Sequence, residues 1–215
     1  MKEHIKKFNS IDVKFDFIPK LNKKIEIIEN IKNFGEIVNE ASYIDNLDDS
    51  LIIKDNKEYN NKLKNWINKE NNIKAELLYR FSRDGDKISK FHELCAGKGP
   101  TLTLFKVKEG IGGIFTPLSW DIKSETKYDN KTFMFNLNKK EKYKNIHQDK
   151  SIWCTENFGP WTLYFGFYKN NQMNKIEHRG ININNAYENG SEILPNNSEE
   201  TKYFDVIEVE VYKII

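Results

Sequence analysis

Cysteine and arginine are scarce in this 215-residue sequence, and long apolar runs are missing. Cys95 and Cys154 are the only cysteines, too few for a disulfide framework and without the paired spacing of a zinc knuckle. No stretch approaches the roughly 18 apolar residues of a bilayer span, and the start MKEHIKKFNSIDVKFDF has no apolar core of signal-peptide length. These features predict a soluble, intracellular protein in a reducing compartment. An excess of positive charge is also absent. Lys and Arg total 34 against 32 Asp and Glu, a net charge of +2, which argues against a nucleic-acid binder working by broad phosphate neutralisation. Alanine occurs four times while Asn, Lys and Ile abound, a composition that reads as nucleotide bias and multiplies chance motifs. The glycosylation sequons at Asn130, Asn189 and Asn196 are about what 27 Asn and 18 Ser/Thr give at random.

What is present is an aromatic load of 13% within a 38% apolar chain, enough for a folded domain with polar extensions. Glycine and proline divide it. Residues 1–74 hold only Gly35 and Pro19, whereas residues 75–215 hold the other ten glycines and four prolines, as when helices give way to turn-rich strands. In the first part, Ile27, Ile31, Phe34, Val38 and Ala41 recur at helical spacing, and Tyr59, Leu63, Trp66 and Ile67 share a face of a second helix. Asp55 followed by Glu58 offers that helix a capping-box-like start. Both stripes read as core contacts.

From Ala75 the period shifts towards two. Segments 75–82, 101–108, 132–137, 161–168 and 203–212 are rich in β-branched and aromatic residues and are predicted strands. In the last, Ile207, Val209 and Val211 fall on one face and Glu208 and Glu210 on the other, predicting a half-buried antiparallel strand. A short helix is expected over 87–95, with Ile88, Phe91 and Cys95 on one side and Gly97 ending it. The Asn-rich stretch 169–200 predicts long mobile loops.

The densest chemical signal is LLYRFSRDG over 77–85, then FHELC over 91–95 and KGPTLTLFKVK over 98–108. Two of the three arginines, Arg80 and Arg83, stand inside the first block. In so Lys-biased a chain this implies a need for a planar, multidentate guanidinium. One use is a clamp, for example on Asp84, that pins the strand-to-helix turn; another is a contact to a partner.

These blocks, with GIFTPLSW at 113–120, FMFNLN at 133–138, IWCTENFGP at 152–160 and FDVIEVEVYKI at 204–214, resemble the successive segments of a TLDc domain. The resemblance covers about residues 50–215 and leaves 1–49 as a helical extension. It implies a mainly β (α+β) fold, a two-sheet antiparallel sandwich flanked by short helices. It also implies a cytoplasmic, non-enzymatic interaction protein linked to oxidative-stress resistance. Its implied partner is the peripheral sector of the vacuolar-type proton-pumping ATPase, with recruitment to acidic organelles through that protein rather than by membrane insertion. No cofactor, metal or nucleic acid is expected. The residues expected to meet the partner are Arg80, Arg83, Asp84, Gly85 and Glu210, the last matching the family's terminal acidic motif. The chain departs from the pattern at Gly113-Ile114-Phe115, where a positive φ at Ile114 would be strained, and after Pro160, where an acidic position is replaced by WTLYFGF.

Two alternatives have their own residues. His92 and Cys95 lie three apart on one helical face and could, with Cys154 or His147, make a zinc site or an activated thiolate. Trp120, Trp153 and Trp161 could instead be sugar-stacking platforms of a lectin-like sandwich, which requires that they be exposed.

Overall fold

A computed structural model describes residues 47–54, 56–67, 74–147 and 149–215. The helix expected over 27–41 and the rest of 1–46 lie outside the described residues, as does Asp55. Helix α1 (Lys57–Ile67) starts at Asn56, whose Oδ1 accepts the Tyr59 N–H at 3.1 Å, so the cap sits one residue past the expected position. Its predicted stripe is the packed one. Leu63 is buried, and Tyr59, Trp66 and Ile67 pack beside it against the sheet.

The fold is mainly β, all antiparallel, with short helices, as expected. The strands are β1 (Ala75–Arg80), β2 (Thr101–Val107), β3 (Gly110–Thr116), β4 (Glu125–Lys127), β5 (Phe133–Asn136) and β6 (Glu141–Lys144). They continue with β7 (Ile152–Cys154), β8 (Phe165–Phe167), β9 (Lys175–His178) and β10 (Lys202–Ile214). One large curled sheet runs β6-β5-β3-β2-β10-β9-β8, with β1 also on β10, and β4 pairs β7 in a small second ladder. Strand β10 is the spine: β2 lines one edge, while β9 and then β1 share the other.

Both faces of this sheet are covered, which explains the continuous burial of β2. Leu102 and Leu104 face α1 with Phe115, Phe133, Phe135 and Tyr212. Phe105 and Val107 face the other way, onto Val209, Val211, Phe165 and helix α3 (Ile88–Cys95), which presents Ile88, Phe91 and Cys95 as predicted. The reading of β10 as half-solvated is therefore corrected. A register irregularity between Val206 and Glu208 throws Ile207 outward to 54% exposure, while Glu208 and Glu210 are buried.

The expected long strand over 161–168 is also shortened. Trp161–Tyr164 form a tight reversal, closed by the Thr162 N–H donating to Phe165 O at 2.8 Å, and only Phe165–Phe167 is strand. The stretch 169–200 is a packed layer instead of open loops. It contains β9 and 3-10 turns at Gly180–Asn185 and Gly190–Ile193, and it buries Met173, Ile176, Ile183, Ile193 and Leu194. Ile114 is an ordinary buried strand residue without positive φ. The close approach falls on Gly113, where a Cβ would lie 2.1 Å from Thr103 O.

Candidate partner-binding site

The residues singled out in LLYRFSRDG meet β10. Strand β1 pairs with β10 so that Arg80 stands directly opposite Glu210. Arg80 Nε donates to Glu210 Oε1 at 2.9 Å, and Nη2 donates to Asp49 O at 2.6 Å. Glu210 is fully buried and is solvated by protein: Ser50 Oγ donates at 2.5 Å, the Leu51 N–H at 2.8 Å and Tyr212 OH at 3.3 Å. Three donors, with a share of the Tyr212 proton that also reaches Asp49 Oδ1 at 3.1 Å, offset a desolvation cost that an isolated buried charge could not meet. Burial works against the Arg80 charge, but the Glu210 carboxylate outweighs it, and the guanidinium pKa is raised. Burial and then the Glu210 charge push the Tyr212 hydroxyl up, so it stays a donor.

The chain next turns through helix α2 (Phe81–Asp84), where the second arginine acts. Asp84 Oδ2 accepts the Arg80 N–H at 2.8 Å, and Arg83 grips the same carboxylate through Nε at 2.9 Å and Nη2 at 2.8 Å while Nη2 also donates to Leu78 O at 2.9 Å. Burial would raise the Asp84 carboxyl, but the hydrogen bonds from Arg83 and Arg80 N–H outweigh it and hold it below the ordinary value. Gly85 closes the turn at φ +85 with open space around its Cα, so glycine is required there by conformation and not by crowding. Tyr79 OH donates to Gly85 O at 2.6 Å, and Glu208 takes the Ser82 N–H at 3.1 Å.

The five candidates thus form one cluster, but they differ in what they can offer a partner. Arg83 keeps 46% of its side chain exposed, whereas Arg80 and Asp84 are at 15% and 13% and Glu210 at 0%. Glu210, expected at the surface, is an internal anchor. Asp49, Ser50, Glu208 and Tyr212 were missed. Glu208 was masked by its alternation with apolar residues, and Asp49 and Ser50 carry no local pattern.

A family model described as the TLDc domain matches residues 47–215. The chain belongs to the TLDc domain family. No curated protein is significantly similar to it in sequence. The match takes in Leu47, Asp49 and Ser50, and the buried Leu47 and the Ser50–Glu210 bond place that segment in the core of this TLDc domain.

The residues of the two alternative chemistries are also placed. In this TLDc domain Cys95 has no exposure, and burial pushes its thiol up to about 12; burial likewise raises Cys154 to about 11. A nucleophilic thiolate needs the opposite shift. Burial holds the His92 imidazole below its ordinary pKa, partly offset by backbone acceptors at Phe158 and Thr155, neither of which reaches hydrogen-bonding geometry with the ring. Among the described residues, no three His, Cys, Asp or Glu side chains converge as a metal site would need, so the zinc grouping around His92 and Cys95 is not assembled. Trp120 and Trp161 are buried and unavailable as sugar platforms, and Trp153 packs edge-on against Phe158 at 5.2 Å. Among the described residues no helix is long and apolar enough to cross a membrane.

Proposed function

We propose that this TLDc domain is an interaction module that docks on the peripheral, ATP-hydrolysing sector of the vacuolar-type proton-pumping ATPase. In this reading it acts in the cytoplasm, reaches acidic organelles through that partner, contributes to oxidative-stress resistance and catalyses no reaction. The observation that carries the reading is the family match, which spans the described unit from Leu47 to Ile215. The thiol chemistry that would compete with it is disfavoured by the burial and raised pKa of Cys95. The Arg80–Glu210 cluster supports the reading indirectly, by fixing the α2 turn that carries the half-exposed Arg83. In the test, the full chain is incubated with purified peripheral sector and both co-sedimentation and ATP hydrolysis are followed. Binding with an altered hydrolysis rate is expected. A chain that neither sediments with the sector nor changes its rate at high concentration overturns the assignment.

A further inference from the structure

The histidine at the end of β9 belongs to a second polar cluster, apart from the LLYRFSRDG block. His178 is fully buried, with the Phe165 ring of β8 at 5.7 Å and the Phe204 ring of β10 at 6.3 Å. The residue ties three separate pieces of chain. Nδ1 accepts the Gly180 N–H at 3.0 Å, Nε2 donates to Ser191 O at 3.2 Å, and the main-chain oxygen accepts from Asn196 Nδ2 at 3.0 Å. Beside the ring the chain crosses itself: the Ile181 N–H donates to Ser198 O at 2.9 Å, and a Cβ on Gly180 would stand 1.8 Å from that same oxygen. Backbone packs on backbone here, so the crossing has no slack.

These partners suit the neutral ring alone. A proton on Nδ1 would confront two N–H donors, Gly180 at 3.0 Å and Asn196 Nδ2 at 3.5 Å. Turning the Asn196 amide over would not relieve this, because Nδ2 also donates to Glu200 O at 2.9 Å and Oδ1 accepts from Ser198 Oγ at 2.9 Å. From β10, Lys202 stands opposite His178, and its charge opposes a second one. The nearby acids are engaged elsewhere, Glu177 by Arg179 at 2.6 Å and Glu192 by Lys139. The middle of the segment is held differently, by groups that do not titrate. Ala186 O accepts the Ile146 N–H, the Glu188 N–H donates to Lys144 O, and Ile193 O accepts from Asn136 Nδ2, each at 2.9 Å. We infer that His178 is an acid-sensitive latch: a second proton on its ring frees the crossing of Gly180–Ile181 with Asn196–Ser198 from β9, while residues 186–193 stay on β5 and β6 and the sheet stays folded. Burial lowers the ring pKa from 6.5 to about 4, so the opened crossing takes up the proton first and opening becomes easier as pH falls through that window. The latch is independent of the pump reading, because it uses none of Arg80, Arg83 or Glu210.

The test is amide hydrogen exchange by NMR on the full chain from about pH 7 to about pH 3.5, corrected for the chemical exchange rate. The Gly180 and Ile181 amides are expected to exchange faster than those of β2 and β10 throughout, with protection falling about tenfold per pH unit below about pH 6.5. In His178→Gln, whose amide reproduces the acceptor and donor of the neutral ring, their protection should stay level. Should that variant fail to fold, the His178 ring titration in the parent replaces it, and the fall in protection is expected to level off where the ring titrates. Protection that does not change with pH, an equal change in the glutamine variant, or exchange of Gly180 and Ile181 at the same rate as the β2 and β10 amides would overturn the latch.

Discussion

Arg80 and Glu210 are separated by 130 positions in the chain and stand directly opposite each other on β1 and β10, with Nε 2.9 Å from Oε1. The pair also recruits Ser50 and Leu51, so one carboxylate ties the beginning, middle and end of the domain together. Removing one member leaves the others desolvated. Glu210→Ala is therefore expected to cost about 3–5 kcal/mol, and Glu210→Gln, which keeps the shape, to cost less. Urea unfolding measures both. An alanine variant within about 1 kcal/mol of the parent would show that the cluster is not a principal source of stability.

The Arg83–Asp84 grip is more exposed and should contribute less. Arg83→Lys loses the fork onto Asp84 and the bond to Leu78 O, and a fall of up to about 1 kcal/mol is expected for such a solvent-screened pair. If Arg83 is also a contact for the pump, capture weakens far more than stability does. Comparing melting temperature with capture separates these roles.

Asp84 supplies an acid-limb test. Its folded pKa is depressed, so its contribution is present above the ordinary carboxyl range and is lost as pH falls through the lowered value. The parent should lose stability more steeply than Asp84→Asn below about pH 4. Parallel acid limbs in the two proteins would contradict the assignment.

His178 acts at a higher pH. The Gly180 N–H donates to Nδ1 at 3.0 Å, which makes Nε2 the protonated nitrogen, donating to Ser191 O at 3.2 Å. Burial lowers its pKa to about 4, and a second proton would break the Gly180 bond. The unfolded chain takes up that proton first, so stability is complete above about pH 6.5 and declines as pH falls towards 4, by something on the order of 3 kcal/mol. Unfolding of the parent and His178→Gln across this window should show a slope in the parent that the variant lacks.

Cys95 should react with a thiol reagent only when the domain opens, together with Cys154, since both are buried with raised pKa. Labelling followed against urea is expected to track global unfolding, and Cys95→Ala cells should keep their peroxide tolerance. Fast native labelling together with lost tolerance would restore the thiol reading.

The sequence by itself determined the local and block-level features. Helical spacing at Tyr59, Leu63, Trp66 and Ile67 identified α1, because one covered face demands that period. The succession of blocks from LLYRFSRDG to FDVIEVEVYKI identified the TLDc family. It also brought forward Arg80, Arg83 and Asp84, since a rare guanidinium in a lysine-rich chain is conspicuous. Tertiary structure decided the rest. Whether Glu208 and Glu210 face water or protein depends on what covers the second face of β10, and alternation describes that strand identically in both cases. The cover comes in part from Asp49, Ser50 and Leu51, about 160 residues away, which carry no pattern of their own. The Asn-rich 169–200 stretch reads as loop because its polar side chains satisfy backbone and one another; Asn196, for instance, donates to His178 O and Glu200 O. Only the assembled fold supplies those partners, so burial of polar residues is a property of the packing and cannot be read from their order in the chain.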